Sequence, residues 1–280
     1  MVNVENLKKG KFLQLRRDIL VMRIGVCLKE VLDSNCSVRL NAEKNSIISG
    51  GQKFIVNPYD EFALEEALRH KEKYSNSEII TFTIGPERAN ATICTGLAMG
   101  ADKAIHIVHD KDMFIDGLGI ASILKKILEV EKVDILLLGK QSTDYSKHEV
   151  GPMLAGLLEW PQAMNVVKLD VKDEYAMGTC ESDGWKSELF RLKMPCVIGV
   201  TKGINEPRFP TLKGTLNARK KEIKKIQVLD LGINTEMLNG VEVEDVYLLP
   251  ERNKCRLITG DPELAAKELV RLLREDERLI

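Results

Sequence analysis

Apolar and polar positions along the first part of the chain follow two different periods. Four largely apolar runs predict buried strands, at 23–28, 79–84, 104–108 and 135–138, and the last of these is apolar without a break. Apolar residues at helical spacing predict amphipathic helices, at 62–73, 88–99, 117–131 and 150–158. Strands that alternate with helices form parallel sheets with right-handed crossovers. The pattern therefore predicts an α/β fold with a Rossmann-like, mostly parallel sheet flanked by helices.

The pattern changes after Pro161, where strands follow one another without helices. Four runs predict an added β meander attached to one side of the core, at 164–171, 175–180, 186–192 and 196–200. The stretch 213–225 carries six basic residues and one acidic residue, which is typical of a solvated loop leading into a basic helix.

The two ends of the chain differ from this core. Residues 1–21 carry five basic and two acidic residues, and we expect a disordered or loosely docked N-terminal extension there. Residues 22–225 are expected to form the α/β core. Residues 226–280 have few apolar positions before a helix predicted at 263–273, so they are expected to form an extended C-terminal arm that packs on another surface.

Composition excludes several classes of function. Lysine plus arginine (41) nearly balances aspartate plus glutamate (42), so no overall field recruits nucleic acid or an anionic membrane. No apolar run reaches the length of a membrane span. The six cysteines contain no C-x-x-C pair, and the four histidines show no metal-ligand spacing. We therefore expect a soluble intracellular protein without a metal site and without direct membrane insertion.

A run of hydrogen-bonding residues follows the strand predicted at 135–138. Gly139 permits a sharp turn there. Open α/β sheets bind ligands at the carboxyl ends of their strands, and first-turn helix amides are free to hold a phosphate. The polar residues that favour a nucleotide site are Lys140, Gln141, Ser142, Thr143, Asp144, Ser146, His148 and Glu149. An ordinary βα loop has the same polar character, so this stretch alone leaves both interpretations open.

Five fragments add more specific information: NPYDEFALEEALRHKEK, GLAMGADKAIHI, EKVDILLLGKQ, GPMLAGLLEWPQ and NEPRFPTLKGTLNARKK. Their combination, over roughly residues 22–225, resembles the β subunit of electron-transfer flavoproteins. The resemblance implies a heterodimer with an α subunit that holds the redox-active FAD. Such a heterodimer accepts electrons from acyl-CoA or other dehydrogenases, as in fatty acid β-oxidation. It passes them to a second redox protein such as a quinone oxidoreductase.

By the same resemblance, the chain is an electron-carrier subunit with no catalytic residues of its own. Its C-terminal arm, 226–280, is expected to pack on the partner subunit. The expected location is the cytoplasm, or the mitochondrial matrix in a eukaryote.

The resemblance also implies a buried adenine nucleotide in this chain, which is AMP in most members and a second FAD in electron-bifurcating members. The family segments that enclose the nucleotide lie at the ends of strands and in the polar loop. They match Cys27, Asn57, Pro58, Tyr59, Asp60, Ile84, Gly139, Lys140, Gln141, Ser142, Thr143, Asp144, Ser146, Lys147, His148, Glu149 and Val150.

The polar loop departs from the family pattern. AMP-binding relatives typically read D-D-D-x-N-Q-T-G and bifurcating relatives D-G-D-T-A-Q-V-G, whereas this chain reads D-Y-S-K-H-E-V-G from Asp144 to Gly151. His148 and Glu149 replace amide or small polar side chains, and a carboxylate repels a phosphate unless a cation intervenes. Lys147 would supply such a cation. AMP is the first expectation, and a second FAD or an empty pocket are the alternatives.

A second family feature is a recognition loop, which is matched here near 205–221. In the family a leucine of this loop inserts into a pocket of the partner dehydrogenase. Leu212 corresponds to that leucine, and Lys213 replaces the usual proline after it. A rigid loop behind two prolines loses little entropy on docking.

Two other classes of function are compatible with an α/β sheet of this kind. A nucleotide hydrolase or ligase would need a phosphate loop of the G-x-x-x-x-G-K-[ST] type, which the sequence lacks. A non-redox adenine-nucleotide-binding protein is the other alternative.

Overall fold

The structure, a computed structural model, describes residues 21–41, 47, 51–110, 113–182, 186–233, 238–241, 243–250 and 255–280. The extension expected over residues 1–21 lies outside these residues, apart from Val21. The chain divides into two compact units, of which the first comprises residues up to 39 and 48–244 and the second comprises 40–47 and 245–280. The expected partition into an extension, a core and an arm stays a prediction.

The strands of the described residues form a large sheet and a two-stranded sheet. They are β1 (Met22–Cys27), β2 (Glu30–Leu32), β3 (Phe54–Val56), β4 (Ser77–Gly85), β5 (Lys103–Val108), β6 (Ile135–Gly139), β7 (Gln162–Lys172), β8 (Tyr175–Ser182), β9 (Lys186–Lys193), β10 (Cys196–Val200) and β11 (Ile223–Gln227). The large sheet has the order β11-β5-β4-β1-β6-β10-β7-β8-β9, and β2 pairs with β3.

All neighbouring strands from β11 to β7 run parallel, while β7, β8 and β9 form an antiparallel meander at one edge. The prediction of a mostly parallel α/β sheet flanked by helices is therefore confirmed. The central strand β1 has β4 on one side and β6 on the other. The chain thus changes direction across the sheet at β1, which makes the carboxyl ends of β1, β4 and β6 a topological switch point.

The helices are α1 (Pro58–Lys73), α2 (Asn90–Met99), α3 (Gly117–Glu131), α4 (Val150–Leu158), α5 (Leu212–Ala218) and α6 (Pro262–Arg271). The described residues also include short 3₁₀ turns, at Glu87–Ala89 and Val228–Leu231, and a π turn at Leu272–Asp276. Buried residues of α1 and α2 share one apolar cluster, and those of α3 and α4 share the other. The two pairs of helices therefore cover opposite faces of the sheet.

Strand β6 shows why its sequence is apolar throughout. Ile135 and Leu137 belong to the cluster that contains α1 and α2, whereas Leu136 and Leu138 belong to the cluster that contains α3 and α4. Side chains of a strand point alternately to the two faces of a sheet. A strand covered on both faces must therefore be apolar at every position.

Two expectations about the second half of the chain were wrong. Strand β10 is not the last strand of the meander, because it lies between β6 and β7 and pairs in parallel with both. The stretch 213–225 was expected to be a solvated loop leading into a basic helix, but its last residues belong to a strand. Ile223–Gln227 forms β11 and pairs in parallel with β5. A strand whose lysines face solvent at a sheet edge resembles a solvated segment when only its composition is considered.

The second unit contains α6 and the π turn after it. Asp261 caps α6, because its Oδ1 accepts hydrogen bonds from the backbone N–H groups of Glu263 (2.9 Å) and Leu264 (3.4 Å). Large apolar side chains of this unit are exposed, including Tyr247, Leu249 and Leu257. None of the helices within the described ranges is both long enough and apolar enough to cross a membrane.

Candidate functional site

A cavity of about 350 Å³ opens at the switch point of the first unit. Its wall includes the end of β1 at Cys27, the end of β4 at Ile84 and the end of β6 at Gly139. Most of the polar loop, defined as residues 140–149, and the first residues of α3 and α4 also line the cavity. The parallel pairing of β4, β1 and β6 thus brings together residues that lie far apart in the sequence.

Asp60 joins three elements beneath this cavity and is only 5% exposed. Its Oδ1 accepts a hydrogen bond from the Gly139 N–H at 3.0 Å, and its Oδ2 accepts one from the Lys29 N–H at 2.7 Å. Burial raises the pKa of the Asp60 carboxyl to about 7. The two backbone hydrogen bonds lower this pKa, but burial has the larger effect. Asp60 therefore fixes the start of α1 to the ends of β1 and β6.

Gly139 is required by this packing. A Cβ atom at position 139 would collide with Tyr59 and with the Asp60 carboxylate. The first turn of α1 can approach β6 this closely only because residue 139 has no side chain.

The Asn57 side chain makes hydrogen bonds to the backbone of the polar loop. Its Nδ2 donates to the Gln141 carbonyl at 2.9 Å, and its Oδ1 accepts from the Thr143 N–H at 3.2 Å. The Asn57 amide thus satisfies two backbone groups of the loop, and it is 1% exposed. Asn57 contributes to the site by holding this loop.

The cavity edge carries closely paired charges. Lys29 Nζ lies 2.7 Å from both carboxylate oxygens of Asp144 and 3.3 Å from Ser142 Oγ. The same ammonium group lies 4.5 Å from the centre of the Tyr145 ring, and Lys147 Nζ lies 5.9 Å from it. Two cations therefore flank one aromatic ring, a favourable arrangement for the ring quadrupole.

Glu149 lies against the N-terminus of α3. A Cβ atom at Gly117 would collide with the Glu149 carboxylate, so the carboxylate fits there only because residue 117 has no side chain. Lys147 Nζ lies 3.7 Å from Glu149 Oε1. Negative charge is favourable at a helix N-terminus, so the chain itself places a carboxylate in a position that suits an anion.

Most residues that the sequence points to do meet at this cavity. Those that line it are Cys27, Asn57, Asp60, Ile84, Gly139, Lys140, Gln141, Ser142, Asp144, Lys147, His148, Glu149 and Val150. Pro58, Tyr59, Thr143 and Ser146 do not line the cavity: the first two begin α1, and the last two lie in the polar loop.

Sequence reasoning missed several residues of the wall. Lys29, Arg88, Phe114, Asp116 and Tyr145 line the cavity as well. All five lie in the segments that follow β1, β4, β5 and β6, so the rule that ligands bind at the carboxyl ends of strands, applied to every strand, would have found them. Asp116 is also recognisable as an N-cap, because its Oδ1 accepts from the Gly119 N–H at 2.8 Å.

A second notable region is the exposed segment, defined here as residues 205–216. Phe209 is 91% exposed and Leu212 is 80% exposed. Leu212 begins α5, which Thr211 caps by accepting a hydrogen bond from the Gly214 N–H at 2.9 Å. Two large apolar side chains thus project from this segment, one just before α5 and one at its first residue.

No group of three or more metal-ligating side chains that could hold an ion occurs in the part of the chain that the structure describes. The cysteines at 27, 36, 94, 180, 196 and 255 are free thiols. Burial raises the pKa of the Cys196 thiol to about 12, so its thiolate is disfavoured at neutral pH.

Comparison with known proteins shows the family of the chain. Residues 45–231 match the family model of the electron transfer flavoprotein domain. The chain is 37% identical over 249 residues to the electron transfer flavoprotein subunit beta of Bos taurus, covering 88% of this chain and 96% of that one. It is 34% identical over 261 residues to the mitochondrial subunit beta of Oryza sativa subsp. japonica, covering 92% and 100%. The chain therefore belongs to the electron transfer flavoprotein β-subunit family.

Proposed function

We propose that this chain is the β subunit of a heterodimeric electron-transfer flavoprotein. The heterodimer accepts electrons from acyl-CoA or other dehydrogenases and delivers them to a second redox protein such as a quinone oxidoreductase. The chain serves as a carrier subunit and not as an enzyme. The observation that carries the proposal is the identity of 37% with a β subunit that this chain covers almost completely.

The partner in this heterodimer is an α subunit that holds most of the FAD, and FAD supplies the redox chemistry when bound. The second unit of the chain supports a stable protein partner. Its side chains Leu249 and Leu257 are more than four-fifths exposed, and a stable partner would remove this apolar surface from water. Among the described residues of 245–280, only Leu272 is buried.

We further propose that the cavity at the switch point holds AMP with a structural role. Its size lies at the lower end of the roughly 300–1,000 Å³ that small-ligand sites occupy. Apolar side chains of the wall suit the faces of an adenine ring: Phe82, Ile84, Ile115, Ile120, Leu124 and Leu138. The first-turn amides of α4 suit a phosphate, since Glu149 makes no side-chain capping bond to them.

The charges around the cavity are compatible with an anionic ligand. Lys29, Lys140 and Lys147 supply positive charge. Glu149 opposes a phosphate, but Lys147 lies beside it. The residues therefore fit an adenine nucleotide, with Glu149 as the group that weakens its binding.

Leu212 is proposed as the side chain that enters a pocket of the partner dehydrogenase. Its exposure supports this role, because the exposed side chains of Phe209 and Leu216 lie near it in the sequence, and clustered exposed apolar groups mark binding surfaces. We place the heterodimer in the cytoplasm, or in the mitochondrial matrix of a eukaryote. A rice relative is named as mitochondrial, and fatty acid β-oxidation is the process in which an acyl-CoA dehydrogenase donates the electrons.

The proposal is tested by co-expressing the chain with an electron-transfer flavoprotein α subunit. We expect the two chains to co-purify in equal amounts with a flavin absorbance spectrum, and an acyl-CoA dehydrogenase with its substrate to bleach that spectrum. Separate elution of the chains, or a flavin that the dehydrogenase does not reduce, would contradict the proposal.

A further inference from the structure

The exposed segment is fixed to α1 at a buried carboxylate. Arg208 Nε donates to Glu65 Oε2 at 2.8 Å, Arg208 Nη2 donates to Glu65 Oε1 at 2.9 Å, and the Arg208 backbone N–H donates to Glu65 Oε2 at 3.2 Å. The Glu65 side chain is only 4% exposed. Burial alone would raise the pKa of Glu65, but the hydrogen bonds from Arg208 outweigh it and the pKa is lowered. The carboxylate is therefore a charged anchor point.

Further contacts hold the two ends of the segment. Asn205 Nδ2 donates to the Phe62 carbonyl and to Glu66 Oε2, each at 3.0 Å. At the other end, a Cβ atom at Gly214 would collide with the Ala98 carbonyl, so α5 lies directly against the end of α2. The most exposed apolar side chains of the segment, Phe209 and Leu212, lie between these attachments.

We propose that Arg208 is a positioning residue for docking: its pair with Glu65 holds Phe209 and Leu212 in the orientation that the partner dehydrogenase binds. The inference rests on the proposed docking function. It adds that this chain orders the docking side chains before the dehydrogenase binds. A planar guanidinium that makes two parallel bonds to a carboxylate fixes orientation as well as distance, which a lysine ammonium cannot do. Ordering the segment before the encounter removes an entropy cost from binding.

The competing explanation is that the Arg208–Glu65 pair only stabilises the fold. Arg69 offers a matched control, because its Nε lies 3.2 Å from the same Glu65 carboxylate but comes from α1 itself. Arg208→Lys and Arg69→Lys both keep the positive charge and both remove one guanidinium from Glu65. Only Arg208→Lys loosens the exposed segment. A purely structural role predicts similar behaviour for the two variants.

The experiment uses the αβ heterodimer and an immobilised acyl-CoA dehydrogenase. Arg208→Lys is expected to raise the dissociation rate constant about five-fold, the equivalent of ordering one or two side chains, with the association rate constant unchanged because the charge is kept. Hydrogen exchange at residues 209–215 should accelerate. Arg69→Lys should leave both quantities at wild-type values. In a Leu212→Ala background, Arg208→Lys should have a smaller effect on dissociation, because the two residues act through one contact.

Asn205→Ser provides a second variant should Arg208→Lys fail to fold, since it removes the other attachment of the segment to α1, at Phe62 and Glu66, without disturbing Glu65. The same changes in exchange and dissociation are expected for it. Unchanged exchange at 209–215, or equal dissociation rates for the Arg208 and Arg69 variants, overturns the positioning role while the proposed function stands. A wild-type heterodimer that does not bind the dehydrogenase overturns the docking function and the positioning role together.

Discussion

The Gly139 N–H donates a hydrogen bond of 3.0 Å to Asp60 Oδ1, and this bond joins β6 to the first turn of α1 beside the candidate nucleotide cavity. The second oxygen of the same carboxylate accepts from the Lys29 N–H. Two backbone donors from two strands therefore converge on one buried side chain. The cavity wall depends on this convergence, because Lys29 and Gly139 both line it.

Asp60→Asn is expected to lower the free energy of unfolding by about 2 kcal/mol at neutral pH. An asparagine side chain has one acceptor oxygen, so its NH₂ group would face one of the two backbone donors. Urea unfolding of the purified protein measures the change. Asp170→Asn is the control, since the Asp170–Lys73 ion pair is more than half exposed and should contribute little. Equal losses for the two variants would show that Asp60 does not hold these elements together.

The raised pKa of Asp60 predicts a pH dependence of stability. Burial raises the pKa to about 7, so the folded protein retains a proton that the unfolded chain releases near pH 4. Between these two values the folded state binds more protons, and the free energy of unfolding contributed by this group falls as the pH rises. The stability advantage of wild type over Asp60→Asn should therefore shrink from about pH 4 to about pH 7. Urea unfolding across this range measures it, and an advantage that grows with pH would contradict the assignment.

Glu149→Gln is expected to tighten AMP binding about five-fold at low salt. The substitution removes a carboxylate from the cavity wall, and repulsion between two charges is worth about 1 kcal/mol at a separation of about 4 Å when water screens it fully. Titration calorimetry with AMP measures the change, and the difference should diminish as salt is added. Binding of adenosine should be unaffected, since it carries no phosphate.

Glu159→Gln is the control for this experiment. Glu159 is an exposed carboxylate at the opposite end of the same helix, α4, and it does not line the cavity. If Glu149→Gln and Glu159→Gln bind AMP equally, Glu149 does not face the phosphate.

Leu212→Ala should weaken docking to an acyl-CoA dehydrogenase about thirty-fold, since a buried anchor contributes on the order of 2 kcal/mol. Its melting temperature and flavin content should match wild type, because Leu212 is 80% exposed. The matched control is Leu189→Ala on the edge strand β9, where the leucine is 87% exposed and lies outside the exposed segment. Reduction rates at low carrier concentration measure docking. A lowered melting temperature would instead place Leu212 in the core.

The local elements of the fold were predictable because each was encoded by nearby residues. The helices Gly117–Glu131 and Val150–Leu158 begin and end where their apolar spacing does. The neighbours of β10 were not predictable, since the run Cys196–Val200 is buried on both faces and an apolar run does not say which strands it pairs with. Strand β11 was hidden because only two of its five residues are apolar and more than half of it is exposed.

The candidate site divides in the same way. Gly139 and the polar residues Lys140, Gln141, Ser142, Asp144, His148 and Glu149 were found because they follow a central strand in sequence. Cys27, Asn57 and Ile84 were reached only through the family resemblance, because strand order brings them to the cavity. The contact between Lys29 and Tyr145 spans more than a hundred residues and depends on β1 lying next to β6. No local pattern contains that information.

The most direct measurement identifies by mass spectrometry the nucleotides released from the co-expressed αβ heterodimer. The account predicts AMP and FAD in equal amounts, with AMP lost in a variant that fills the cavity, such as Ile84→Trp, while FAD stays bound. FAD in twice the amount of each chain, without AMP, would assign the cavity to a second flavin. FAD as the sole nucleotide, equal in amount to each chain, would contradict the claim that this chain holds an adenine nucleotide at the switch point of its sheet.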